Sequence, residues 1–170
     1  NTFLRRSLPL IKAVIIDDEK QSRNSLSGLL QRYCHNVMLS GEADGVWSGM
    51  EVIKNAQPDV VFLDIQMQDG SGFKLLEYFE KIDFQVIFTT AFDQFAIRAF
   101  KYNALDYLLK PIVPQDLINA VNRAEKIKEK KKSLEGQNLD ELLENIKKTT
   151  ESPKIILTTA DKIHLISVNN

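Results

Sequence analysis

The chain has 170 residues, 44% of them hydrophobic and 26% charged, with a formal net charge of −1. That balance excludes global disorder, and a near-neutral charge offers no bulk attraction to nucleic acid. No apolar run approaches the roughly 20 residues of a membrane span, residues 1–9 lack a signal-peptide core, and the one cysteine, Cys34, permits no intrachain disulfide, so a cytoplasmic location is expected.

Residues 11–16 form an apolar run interrupted only by Lys12, the pattern of a strand buried on both faces. Ser22 is then placed to cap a helix in which Leu26, Leu29, Leu30 and Tyr33 fall at i, i+3, i+4 and i+7. Cys34 reads as a small apolar filler at its end. Residues 37–43 make a second strand, and Asp44 or Gly45 opens a helix with Val46, Met50 and Ile53 on one stripe. Pro58 turns the chain into a third strand over 60–63. The Gly70-Ser71-Gly72 loop leads to a short helix carrying Phe73, Leu76 and Phe79. A strand over 85–89, a helix over about 94–101 and a strand over 105–109 follow. Pro111 lacks a donor to continue a ladder, while Pro114 and Asp116 suit the first turn of a last helix buried through Leu117, Val121 and Ala124. This alternation predicts an α/β fold: a doubly wound, five-stranded parallel sheet with helices on both faces.

The composition changes after Glu125. Lysines at 126, 128 and 130–132 interleave with Glu125 and Glu129, as on a solvated helix end that complements the helix dipole. Residues 133–137, with Gly136, read as a break. A new amphipathic helix then starts at Asn138, with Glu141 as capping-box partner and a stripe of Leu139, Leu142, Leu143 and Ile146, and stops at Pro153. Residues 155–158 and 163–168 look like two strands around a turn at Ala160-Asp161. Two strands alone are marginally stable, so this end reads as the start of a further domain.

The chemistry gathers at strand ends. Asp17 and Asp18, Asp64, Thr90 and Lys110 each terminate a different predicted strand. Parallel strands finish at one edge of the sheet, and open α/β sheets bind ligands just outside it. Hard divalent cations such as Mg2+ take one or two carboxylates plus waters and phosphate oxygens. Three acids brought together repel one another unless a cation lies between them. Lys110 can pair with a phosphoryl oxygen, or with Asp64 when none is present, and Pro111 holds Lys110 extended. Thr90 offers a hydroxyl, and small Ala91 lets its backbone N–H approach an anion. His35 and His164 have no partner at metal-ligand spacing.

VIIDDE at 14–19, DIQM at 64–67, SGF at 71–73, FTTAF at 88–92 and DYLLKP at 106–111 resemble, in order and spacing, the receiver domain of two-component response regulators. The resemblance runs from about Ile11 to Glu129 and implies a flavodoxin-like fold. It implies that Asp64 is the phosphoacceptor for a sensor histidine kinase, that Asp18 binds Mg2+ directly and Asp17 through water, and that Gln66 lends its backbone carbonyl to the metal. Thr90 and Lys110 would hold the phosphoryl oxygens. Tyr107 falls at the family's switch aromatic, or else packs on the last helix as an edge-strand residue. Residues 90–112 are similar to receivers joined to a LytTR-type DNA-binding domain, and 154–170 resemble the start of that domain.

The organisation expected is a receiver over 10–132, a helical linker over 133–153 and a LytTR start over 154–170, with DNA contact confined to the part absent here. A homodimer on activation is expected, formed through the fourth helix, fifth strand and fifth helix or through the leucine stripe, and driving transcription regulation. The chain is not expected to be an enzyme beyond assisting its own phosphotransfer and dephosphorylation. One departure stands out: Gln68, not proline, follows D-x-x-M, with Asp69 and Gly70 after it. A more flexible loop and an extra negative charge beside the acceptor are expected. Two alternatives are a phosphorylation-independent interaction module and an aspartyl-nucleophile phosphohydrolase. The latter normally has a second acid where Gln66 stands.

Overall fold

The computed structural model describes residues 10–148, 154–159 and 162–167. The chain divides into two compact units, Asn1–Glu129 and Lys130–Asn170. In the first, β1 (Ile11–Ile16), α1 (Lys20–Tyr33), β2 (Val37–Ala43), α2 (Val46–Ala56) and β3 (Val60–Asp64) follow one another. A miniature hairpin, β4 (Gln66–Met67) and β5 (Gly70–Ser71), precedes α3 (Gly72–Glu77). Then come β6 (Gln85–Thr90), α4 (Ala96–Lys101), β7 (Asp106–Leu109) and α5 (Pro114–Lys148). The main sheet is parallel throughout, in the order β2-β1-β3-β6-β7. This is the flavodoxin-like doubly wound order.

Alternate residues of each central strand feed opposite cores, as the period of a pleat requires. Val14, Ile16, Val61, Leu63, Val86 and Phe88 pack under α2, α3 and α4. Ile11, Ala13, Ile15, Val60, Phe62 and Ile87 pack under α1 and α5, against Leu26, Leu30, Leu117 and Val121. Each fully buried side chain of this size contributes roughly 1.5–3 kcal/mol, which explains why the central strands are apolar without alternation. The carboxyl ends are brought level by register. Asp64 stands opposite Thr89 and Thr90 opposite Leu109, while Lys110 N–H donates to the Thr90 carbonyl at 2.7 Å.

The structure revises several local expectations. Helix α1 starts at Lys20 with Glu19 as its N-cap, so Ser22 lies inside the first turn and its hydroxyl donates to the Glu19 carboxylate at 3.2 Å. The turn before it is closed by Asp17 Oδ1, which accepts from Glu19 N–H at 2.9 Å. Helix α4 begins at Ala96, two residues late, and α3 is capped by the Ser71 hydroxyl accepting from Lys74 N–H at 3.1 Å. The hairpin of β4 and β5 had no sequence signal.

Helix α5 is continuous from Pro114 to Lys148, so the break expected at 133–137 and the fresh start at Asn138 are not observed. A single glycine costs a helix only about 1 kcal/mol, and Gly136 is surrounded by good helix formers. In the second unit, β8 (Lys154–Thr159) and β9 (Lys162–Ser167) pair antiparallel, Lys154 opposite Ser167. Pro153, the Ala160-Asp161 turn, Val168 and residues 1–9 lie outside the described residues.

Two glycines give opposite expectations. A Cβ on Gly72 would sit 2.4 Å from the Asp64 carbonyl oxygen, whereas one on Gly136 would meet nothing within 4 Å. Gly72→Ala is expected to lower stability by roughly 1–3 kcal/mol through forced backbone shifts. Gly136→Ala is expected to raise α5 helicity, a gain of about 0.5–1 kcal/mol. Thermal melts followed by far-UV circular dichroism check both.

Candidate functional site

Three of the strand ends bring their side chains together, those of β1, β3 and β7, while Thr90 at the end of β6 joins them through its backbone carbonyl, which accepts from Lys110 N–H. One carboxylate oxygen from each of Asp17, Asp18 and Asp64 lies within 4.8 Å of the others. Asp17 and Asp64 are buried and Asp18 is half-exposed. The Lys110 ammonium reaches over this edge to Asp17 Oδ2 at 2.7 Å and Asp64 Oδ2 at 3.4 Å. The pairing with Asp64 expected in the absence of phosphate is therefore present, but Asp17 holds the closer contact. The Lys110-Pro111 bond is cis.

Burial sets the electrostatics. Desolvation is the largest influence on Asp64; it outweighs the opposing Lys110 charge, is reinforced by Asp17, and pushes the carboxyl up to about 6. For Lys110 desolvation acts downward, but hydrogen bonding and charge from Asp17 and Asp64 outweigh it and hold the ammonium above its ordinary value. Three carboxylates facing one ammonium leave an excess of negative charge. The donor set is all oxygen, and hard-cation chemistry fits it: Asp17, Asp18 and Asp64 would hold Mg2+. Gln66 lies two residues beyond Asp64, at the start of β4, with its side chain exposed.

Thr90 is buried, and its Oγ1 accepts from Phe92 N–H at 3.2 Å. The Tyr107 hydroxyl donates to the carbonyl of the same Phe92. Tyr107 packs on the core beneath α2–α4, not on α5 as the alternative reading had it. Cys34 is a buried thiol in the α1/α5 core, as its filler reading anticipates. His35 belongs to no cluster of potential metal ligands among the described residues.

Sequence reasoning missed three contributors. Arg23 Nη1 donates to the Asp17 carbonyl at 2.7 Å, bracing the acid pair from α1. Thr89 places a second buried hydroxyl beside Asp17 and Lys110, in the wall of an open cavity of about 430 Å3 that also involves Ser22, Leu26 and Pro111. Asp69, expected to add negative charge beside Asp64, instead turns its carboxylate to the start of α2, accepting from Val46 N–H at 2.9 Å. A carboxylate at a helix N-terminus is favoured by unpaired amides and the dipole. Gly45, the N-cap, is where the contact needs glycine, since a Cβ there would lie 2.6 Å from Asp69 Oδ2. Gln68 N–H donates to Asp18 Oδ2 at 3.0 Å. The loop expected to be loose is thus tied at both Gln68 and Asp69. An Asp beside glycine was the one visible hint; the helix it caps is 23 positions away.

A family model described as the response regulator receiver domain matches residues 13–122. The chain belongs to the response regulator receiver family. It is 32% identical over 167 residues to the sensory transduction protein LytT of Bacillus cereus, covering 95% of this chain and 64% of that protein. It is 34% identical over 157 residues to LytT of Enterococcus faecalis, covering 91% and 60%. An uncharacterized response regulatory protein of Vibrio parahaemolyticus is 42% identical over 119 residues, 69% of this chain and 49% of that one. The chain thus spans less than two thirds of each. Among solved structures, the receiver domain of AraT, a response regulator from Geobacillus stearothermophilus, superposes with a TM-score of 0.66 at 29% identity, over 72% of this chain and 98% of that one. The response regulatory domain of mrkE from Klebsiella pneumoniae gives 0.64 at 25%, over 71% and 99%. The receiver is of the LytT/LytR type.

The raised Asp64 pKa has a consequence for stability. Between the free value of 3.8 and about 6 the folded receiver holds a proton that the unfolded chain has lost. Stability therefore falls as pH rises through that window. Asp64→Asn is expected to stabilise the cation-free receiver at neutral pH by on the order of 2 kcal/mol. The advantage should shrink as pH drops from about 6 to about 4, which melts in chelator across that range will read.

Proposed function

We propose that Asp64 accepts a phosphoryl group from the phosphohistidine of a sensor histidine kinase, with Mg2+ as cofactor, and that the modified receiver switches a LytTR-type DNA-binding output domain. The observation that carries this is the cluster of Asp17, Asp18 and Asp64 with Lys110 at 2.7 and 3.4 Å from two of them. An Asp64 carboxylate oxygen attacks phosphorus in line, the nitrogen–phosphorus bond breaks with its electron pair staying on nitrogen, and the phosphohistidine ring, protonated on its other nitrogen, leaves as neutral imidazole from the aspartyl phosphate. Asp17, Asp18, Asp64 and the Gln66 carbonyl would hold the cation, which when bound supplies neutralisation of the phosphoryl oxygens. Lys110 would exchange its contact with Asp64 for one of those oxygens. The cavity walled by Ser22, Leu26 and Pro111 would leave room for the kinase beside the acids.

The aspartyl phosphate brings roughly two negative charges and new acceptors. Thr90 would then trade Phe92 N–H for a phosphoryl oxygen. Because Tyr107 is bonded to the Phe92 carbonyl, that trade would disturb both partners of one backbone unit and move the α4 surface between two states. α4 is suited to this: only Ala99 of it is buried, while Ile97 and Phe100 are 79% and 82% exposed. Homodimerisation is proposed through this face with β7 and α5, or through the exposed stripe Leu139, Leu142, Leu143 and Ile146. The receiver would occupy 10–132, a linker 133–153 and the start of the output domain 154–170, with promoter binding lying beyond. The protein would act in the cytoplasm; among the described residues no helix is long and apolar enough to cross a membrane. It would catalyse no reaction beyond its own phosphorylation and dephosphorylation.

Incubation with acetyl phosphate and Mg2+, followed by intact-mass measurement, is expected to add one phosphate to the wild type and none to Asp64→Asn. Lys110→Ala should cut the yield by at least an order of magnitude, given the size of a buried charge-pair loss. An unmodified wild type, or equal labelling of Asp64→Asn, would count against the assignment.

A further inference from the structure

The loop after Asp64 differs from the family pattern at one atom that matters. The proline that usually follows D-x-x-M carries no N–H. Gln68 does, and donates it to Asp18 Oδ2 at 3.0 Å. We propose that the Gln68 backbone N–H competes with a divalent cation for the Asp18 carboxylate, so that this receiver carries a built-in brake on cation binding. The proposal rests on the reading of Asp17, Asp18 and Asp64 as the cation site.

The competition follows from local chemistry. A carboxylate oxygen that accepts a hydrogen bond from an amide is a poorer electron-pair donor, and the bond holds the carboxylate at one rotation. A cation that takes Asp18 Oδ2 as its ligand has to displace that N–H, which must then turn to water, to which Gln68 is exposed. The loop cannot shift freely with Asp18, because it is anchored on its other side. Asp69 is fixed to Val46 N–H at 2.9 Å and approaches Trp47 N–H at 3.5 Å, and Gly72 N–H donates to the Ile65 carbonyl at 2.9 Å. The Gln68 side chain takes no part in the hydrogen bond, so the effect belongs to the backbone and only removal of the N–H abolishes it.

That distinction defines the test. Mg2+ affinity is measured by calorimetry and by the fluorescence of Trp47, the one tryptophan in the chain, whose amide lies beside Asp69. Gln68→Pro is expected to bind Mg2+ about three- to ten-fold more tightly, the scale of one ordinary net hydrogen bond in a solvent-exposed setting. Gln68→Ala, which keeps the N–H, should match the wild type within about two-fold. In the wild type itself, amide exchange at Gln68 should accelerate on saturation with Mg2+, a readout that does not require the proline variant to fold. Equal affinities for Gln68→Pro and wild type, or a Gln68 amide equally protected with and without Mg2+, overturn the proposal and leave the cation site standing. No saturable Mg2+ binding by the wild type, or undiminished binding by Asp18→Asn, overturns the cation site and the proposal with it.

Discussion

The structure depends on one electrostatic arrangement: a lysine ammonium shared between two buried carboxylates at the edge of a parallel sheet. Asp17 is 3% and Asp64 5% exposed, and a buried carboxylate without a partner costs several kcal/mol. Lys110 offsets part of that cost and not all of it, since Asp64 still sits well above its ordinary pKa. The site is thereby left short of positive charge. A fold that spends core stability to hold acids together in this way carries an electrostatic cost that a bound cation would lower, and groups so perturbed cluster at functional sites.

Much of the surrounding structure serves to hold those groups level. The parallel register aligns Asp64 with Thr89 and Thr90 with Leu109, and the Lys110 amide is bonded to the Thr90 carbonyl. Arg23 secures the carbonyl of Asp17 from α1. On the other side Asp69 joins the acceptor loop to the first amides of α2. These contacts link the acid cluster to α1, α2 and the end of β6 by short chains of hydrogen bonds, so a change of charge at Asp64 has physical routes outward.

Beyond β6 lies α4, a short helix with a single buried residue, Ala99. Its attachments are mostly lateral: the Arg98 guanidinium lies 4.4 Å above the Phe73 ring, and the Tyr102 hydroxyl at its end donates to Glu77 at 2.8 Å. Both reach across to α3. Elements with few buried apolar contacts occupy the low end of local stability, and α4 combines that property with exposed Ile97 and Phe100. Moving α4 would disturb one apolar core only where Ala99, Phe95 and Tyr102 meet it.

What the sequence determined by itself was whatever is encoded in local pattern. Apolar runs marked strands buried on both faces, helical stripes marked the layers, and polar residues at the run ends located Asp17, Asp18, Asp64, Thr90 and Lys110. Motif order then pointed to the receiver family. What only the tertiary structure decided were relations between distant or competing groups. Lys110, at the end of edge strand β7, reaches past Asp64 on β3 to its closer contact with Asp17 at the end of β1, a choice between two acids that no short stretch of sequence contains. Asp69 faces α2 because an unpaired helix N-terminus, far away in sequence, offers amides to a carboxylate. α5 runs unbroken through Gly136 because one glycine is a small cost against the turns on either side. Local pattern reports which surfaces must be buried, but the partner of a charge or an amide is set by three-dimensional proximity, which no short window of residues contains.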